Sequence, residues 1–299
     1  MILALACNTT AVMYFASMFA VLTSVFKDKA GLLIACLEFL FGIGGLVGAV
    51  MGGVLIDLWA FPLPFFVIAG LLSLSSPFMA IIKPQWKREM AGESATTRLV
   101  TAEYCKLLKN PVFLIDVITA AIPLALMAFN EDTMEPYLRK FHLTNTQVGF
   151  VFTVQCMGYC TGALTAGLFS INKLETTSML LGTTLCAISY FTIGPAPCIK
   201  IEPTLSLICF SFAVMGFGGA ALFTCGYMHG YRTAIRSGYP DDIRTTSVVA
   251  SIVFVNMFLS SVGTAPLAGY VTQVYGYRTA STAMSGFLFV WALATFGLW

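Results

Sequence analysis

Nine stretches of this chain run free of Asp, Glu, Lys and Arg: residues 2–26, 39–56, 58–82, 117–130, 141–172, 176–199, 203–231, 245–277 and 279–299. A helix needs roughly 20 mostly apolar residues to cross a bilayer. Two of the runs are short, each preceded by one acid. The second extends back through Glu38 to about Ala30, and the fourth through Asp116 to Pro111, so these acids belong inside or at the rim of the membrane. Barrel strands would show roughly ten-residue segments of alternating polarity, whereas Phe65 to Ile82 is largely apolar on every face. The pattern predicts an all-α, multi-pass membrane protein of about nine transmembrane helices.

Composition excludes the alternatives. Charged residues make up 10% of the 299, against about 25% in soluble domains, and the mean hydropathy is +0.85. So few charges cannot clothe a body in water, which rules out an ordinary soluble enzyme, a nucleic-acid binder and a disordered tail. The 26 Gly and 12 Pro are spread through the apolar runs, as packed membrane helices tolerate. The nine Cys lie almost all within those runs and read as small packing residues, with no disulfide framework.

Basic residues set orientation. If the spans alternate, Arg139, Lys140, Lys200 and Arg278 fall on one side and the other twelve of the 16 Lys and Arg on the opposite, cytoplasmic side. The N-terminus is then outside and the C-terminus inside. The long connection Lys83 to Asn110 is polar, basic and cytoplasmic, and it divides the chain into residues 1–83, a cytoplasmic linker 84–110 and a six-span bundle 111–299. The chain opens directly into an apolar run with no signal-peptide pattern and stops at Trp299 within another, so both ends are expected to be cut.

An internal repeat narrows the fold. Gly48 to Phe61 resembles Thr264 to Tyr277 in size and polarity, so the second and eighth spans end alike. Small residues at such spacing let helices approach closely. The same device six spans apart implies two parallel halves, as in the major facilitator superfamily. Twelve spans would then be required, and the nine present correspond to the fourth through twelfth.

Particular residues extend the resemblance. Gly42 to Gly53, with Gly44, Gly48, Gly52 and Gly53, resembles the glycine-rich antiporter motif of helix 5, with Ala49 where that superfamily has Pro. Phe129 to Leu138 resembles the acidic helix 7 signature of the vesicular amine transporters, with Asp132 in place of a small residue or Pro. Gln147, Gly149, Phe152, Tyr159, Gly162 and Gly167 resemble that family's helix 8, and Tyr190 with Gly194 to Pro197 resembles the loop after helix 9 in its polyamine branch. On these motifs the chain is identified as a member of the vesicular amine transporter family. The resemblance implies a proton-coupled exchanger of organic cations, polyamines or monoamines, in a vesicular or plasma membrane, working without a cofactor or metal.

The candidate site residues follow. A carboxylate within a bilayer costs roughly 2.5 to 3.5 kcal/mol, so it usually faces a cavity and has a function. By resemblance Glu131 occupies the position that meets the cationic amine, and an acid held there can exchange a proton for a cation; the alternative is a solvated loop acid beside Asp132. Glu135 lies four residues on and shares a face with Glu131 if the helix survives Pro136, or else is a surface acid near Arg139. Glu38 is a proton or gating residue, or half of an interhelical pair. Tyr159 and Gln155 share a face of helix 8 at i, i+4, and Asn256 falls near the centre of helix 11; such groups either hydrogen-bond an amine or join helices. Cys156 and Cys160 share a face but no His or second Cys pair completes a metal set. Gly216 to Ala221 loosely fits a dinucleotide fingerprint, yet lies mid-span with no preceding strand. His142 and His229 fall on opposite sides of the membrane, Asn8-Thr9-Thr10 is a chance sequon, and no nucleophile, base and orienter trio is visible.

The expected function is therefore transport by alternating access. The competing reading is a transporter-derived membrane protein without transport activity, acting as a binding or assembly partner. An intramembrane enzyme would need clustered His or facing carboxylates, which the sequence does not offer.

Overall fold

The computed structural model describes residues 2–26, 29–81, 106–195 and 202–297. Nine α-helices run through them, with no strand among the described residues: α1 Ile2–Val25, α2 Ala30–Leu58, α3 Leu63–Ile81, α4 Pro111–Leu138, α5 Asn145–Ile171, α6 Glu175–Ile193, α7 Leu205–Arg236, α8 Ile243–Tyr275 and α9 Tyr277–Phe296. Seven are long and apolar enough to cross a membrane by length and composition, and Val12–Val25 and Leu63–Leu74 are shorter apolar pieces. The protein is an integral, multi-pass, all-α membrane protein. Most of the connection 84–110 and the loop 196–201 lie outside the described residues.

Helix starts are written locally. Asn110 accepts a bond from the Val112 amide at 3.0 Å with Pro111 opening α4, where its missing N–H costs nothing. Thr144 and Gln147 form a capping box for α5, Thr204 caps α7, and Asp242 caps α8 by accepting from the Thr245 amide at 2.9 Å. Gly276, at φ 81°, makes the sharp joint between α8 and α9 that a residue with a Cβ adopts only with strain. The related stretches each carry the end of a helix, α2 at Leu58 and α8 at Tyr275. They differ in packing: Gly53 sits against the backbone of Asn145 and Thr146, whereas nothing lies within 4 Å of a Cβ built on Gly269.

Two buried clusters hold the helices together. One gathers Met134, Tyr190, Phe212 and Leu222 among α4 to α9. The other gathers Phe19, Phe113, Tyr227 and Val253 and ties α1 and α2 to α4, α7 and α8. The main contacts of α2 run along α5, those of α1 along α8, and α3 packs chiefly on α2. Phe65, Phe66, Leu71, Leu72, Leu259 and Leu293 point outward, which suits lipid. Many interior hydroxyls bond to a backbone carbonyl one turn back, such as Thr23 to Phe19 and Thr183 to Met179, as a membrane interior favours.

Candidate functional site

A cavity of about 690 Å³ forms a groove between α2, α4 and α5. One wall is the glycine face of α2. Gly42 and Gly45 abut Cys160 and Cys156 of α5, and Gly53 abuts Asn145, while Gly149 of α5 meets the carbonyl of Ala49. These contacts draw the two backbones together. Gly44, Gly48 and Gly52 have nothing within 4 Å and line the groove itself, so the ladder has both a packing edge and an open edge.

The facing walls carry the polar groups. Glu131 and Glu135 reach the groove from α4, and Gln155 and Tyr159 from α5. Helix α4 continues through Pro136 to Leu138, so the two acids are one turn apart on one face. Glu135 also accepts a bond from Arg139 at 3.4 Å, with both side chains largely exposed; a pair of that kind contributes little. The Tyr159 hydroxyl donates to the carboxylate of Glu38 on α2, itself buried, which links the two helices at the inner end of the groove. Tyr159 and Phe41 line this groove and also a smaller cavity that contains Glu38.

At its other end, α2 is fastened to α5 by Asp57. Its carboxylate accepts from the Asn145 side-chain amide and the Thr146 backbone amide, each at 2.8 Å, and from the Thr146 hydroxyl at 2.5 Å. An acid at a helix N-terminus also meets the positive end of the helix dipole. Sequence reasoning did not single Asp57 out, although its place at the end of the glycine ladder, opposite a capped helix start, was a usable signal.

Asn256 lies elsewhere. It donates to the Val117 carbonyl at 3.1 Å and borders an apolar cavity of about 520 Å³ among α4, α8 and α9. The structure also pairs residues that sequence separated. Asp116, fully buried, lies 2.8 Å from Nδ1 of His229, and the Thr233 hydroxyl approaches the same carboxylate at 3.4 Å. Arg232 pairs with Glu175 and donates to the Ser170 carbonyl. No group of three or more His, Cys, Asp or Glu that could hold a metal occurs among the described residues, and the glycines from Gly216 to Gly219 are helix-packing positions within α7.

Comparison with known proteins bears on this arrangement. No family model matches the chain. The rat protein named MFS-type transporter SLC18B1 is 23% identical over 289 residues, covering 94% of this chain and 61% of the relative. Its mouse counterpart is 24% identical over 285 residues and the human one 23% over 283, each covering 94% of this chain and 58% of the relative. The chain thus spans about three fifths of the length of the curated relatives it matches. The motif resemblance and the relatives agree: this all-α, multi-pass membrane protein is similar to the MFS-type transporters named SLC18B1.

Proposed function

We propose that this chain forms part of a transporter that exchanges organic cations, polyamines or monoamines, for protons by alternating access. In this reading α1 to α3 belong to one helical bundle, residues 111–299 form the other, and the linker 84–110 joins them. The groove lies between α2 of the first bundle and α4 and α5 of the second, where a carrier that rocks two bundles keeps its site.

The observation that carries the reading is the placement of Glu131 and Glu135 together on one groove with Gln155 and Tyr159. Two carboxylates about one helical turn apart match the spacing of ammonium groups on a short aliphatic chain. Arg139 holds Glu135 only weakly, so an incoming ammonium group can displace it. Glu131 is the group assigned to trade a proton for the cation. A carboxylate that meets the amine while its other face borders apolar wall loses little by binding the proton once the amine has left.

The test is uptake of labelled spermidine and of a labelled monoamine by the full-length protein in liposomes with an imposed proton gradient. Glu131→Gln abolishes gradient-driven uptake while the protein stays folded and membrane-inserted. Unchanged uptake by that variant removes Glu131 from the mechanism, and no uptake of any amine by the wild type overturns the reading.

A further inference from the structure

Inward of the Tyr159 contact, five aromatic rings from five helices form an arc beside Glu38. Tyr159 of α5 meets Phe41 of α2 with centroids 6.1 Å apart, Phe41 meets Phe15 of α1 at 6.3 Å, Phe15 stacks on Phe254 of α8 at 6.0 Å, and Phe254 meets Phe223 of α7 at 5.9 Å. All five, with Glu38, line one cavity of about 70 Å³. An apolar core needs no carboxylate at its centre, and a buried carboxylate is costly there unless something compensates its charge. Ring faces attract cations within about 6 Å, which is how aromatic cages take ammonium groups.

We propose that Glu38 and this arc form a second cation subsite, which receives the ammonium end of an aliphatic amine after it leaves the Glu131 and Glu135 groove. It rests on the reading of the protein as an amine carrier. The Glu38 carboxylate balances the charge, and the rings cover the methylenes next to it. Size selects the class of amine. An apolar cavity of roughly 150 Å³ can hold benzene, so this smaller one of about 70 Å³ suits an ammonium group with a few methylenes better than an aromatic ring. Phe41 and Tyr159 border both cavities, so the step between them is a movement of these two side chains and release of the Tyr159 hydroxyl from Glu38.

The experiment is equilibrium binding of labelled spermidine to the full-length protein in lipid nanodiscs, with mono-, di- and trifluorinated phenylalanine placed at position 41. Fluorination withdraws charge from the ring face and leaves its shape nearly unchanged, so thermal stability should hold while affinity falls stepwise, by about two- to thirtyfold across the series. The same series at Phe254 should show the same trend, and Glu38→Gln should weaken spermidine binding and flatten both series. Affinity independent of fluorination in a protein that still binds spermidine through Glu131 overturns the cage and leaves the proposed function standing. Binding of tyramine that tracks the series overturns the selection of aliphatic amines, and no amine binding by any form overturns both proposals.

Discussion

Gly158 and Gly48 should respond to alanine with opposite signs. A Cβ on Gly158 falls against the carbonyl oxygen of Ala213 in α7 and lies 2.8 and 2.9 Å from that residue's carbonyl carbon and Cα. Carbon atoms settle at about 3.5 to 4.0 Å, and the obstacle is backbone, so no rotamer change relieves it. The two helices must part by roughly 1 Å, a form of overpacking that costs about 1–3 kcal/mol. Gly216 faces the same crossing from α7, its Cβ 2.8 Å from the Tyr159 nitrogen, so Gly158→Ala and Gly216→Ala together should cost less than their sum once the helices have separated. Gly48, by contrast, has nothing within 4 Å, and Gly48→Ala should gain about 0.5–1 kcal/mol from reduced backbone freedom in the unfolded chain. Thermal unfolding of the purified protein in detergent measures each difference. Amine binding adds a second readout, because Gly158 lies between Gln155 and Tyr159 and its displacement moves both groove residues. Equal stability of Gly158→Ala and Gly48→Ala would refute the packing argument.

Asp116→Ala leaves His229 and Thr233 facing a buried site without their acceptor and should lower stability by about 1–3 kcal/mol, with Asp116→Asn falling closer to wild type; identical unfolding curves for Asp116→Ala and wild type would show that the pair contributes nothing. Asp57→Ala removes three bonds between α2 and the start of α5; with a cysteine at Asn145, which itself forfeits one of them, loss of the other two should speed its reaction with a membrane-impermeant thiol reagent, and an unchanged rate would mean the clasp does not hold this end. Asn256→Leu, which breaks only its bond to the Val117 carbonyl away from the groove, should leave amine affinity within about twofold, as additive, distant sites do; a large loss would move the site toward α8. A protease site within residues 84–110 should be cut only from the cytoplasmic face, and cleavage from the outside would invert the topology read from the basic residues.

Helix number and type were legible in the sequence because the bilayer imposes a length rule on every span and forbids any unpaired backbone within it. The nine charge-free runs therefore reappear as nine helices among the described residues, seven of them long and apolar enough to cross a membrane, with ends shifted by up to nine residues. The family resemblance rested on the order of short motifs, and the relatives agree with it. Which residues meet was another matter. In lipid no hydrophobic driving force separates one apolar helix face from another, so the pattern along α2 does not reveal that Gly53 packs on α5 while Gly48 borders a groove. Asp116 and His229 are 113 residues apart, and Asp57 and Thr146 are 89 apart. Their chemistry depends on helices crossing at one angle and depth, which many close backbone contacts set jointly and no stretch of sequence encodes alone. For the same reason Glu131 was visible as an acid at a membrane helix, while the groove that gives it something to bind exists only between three folded helices.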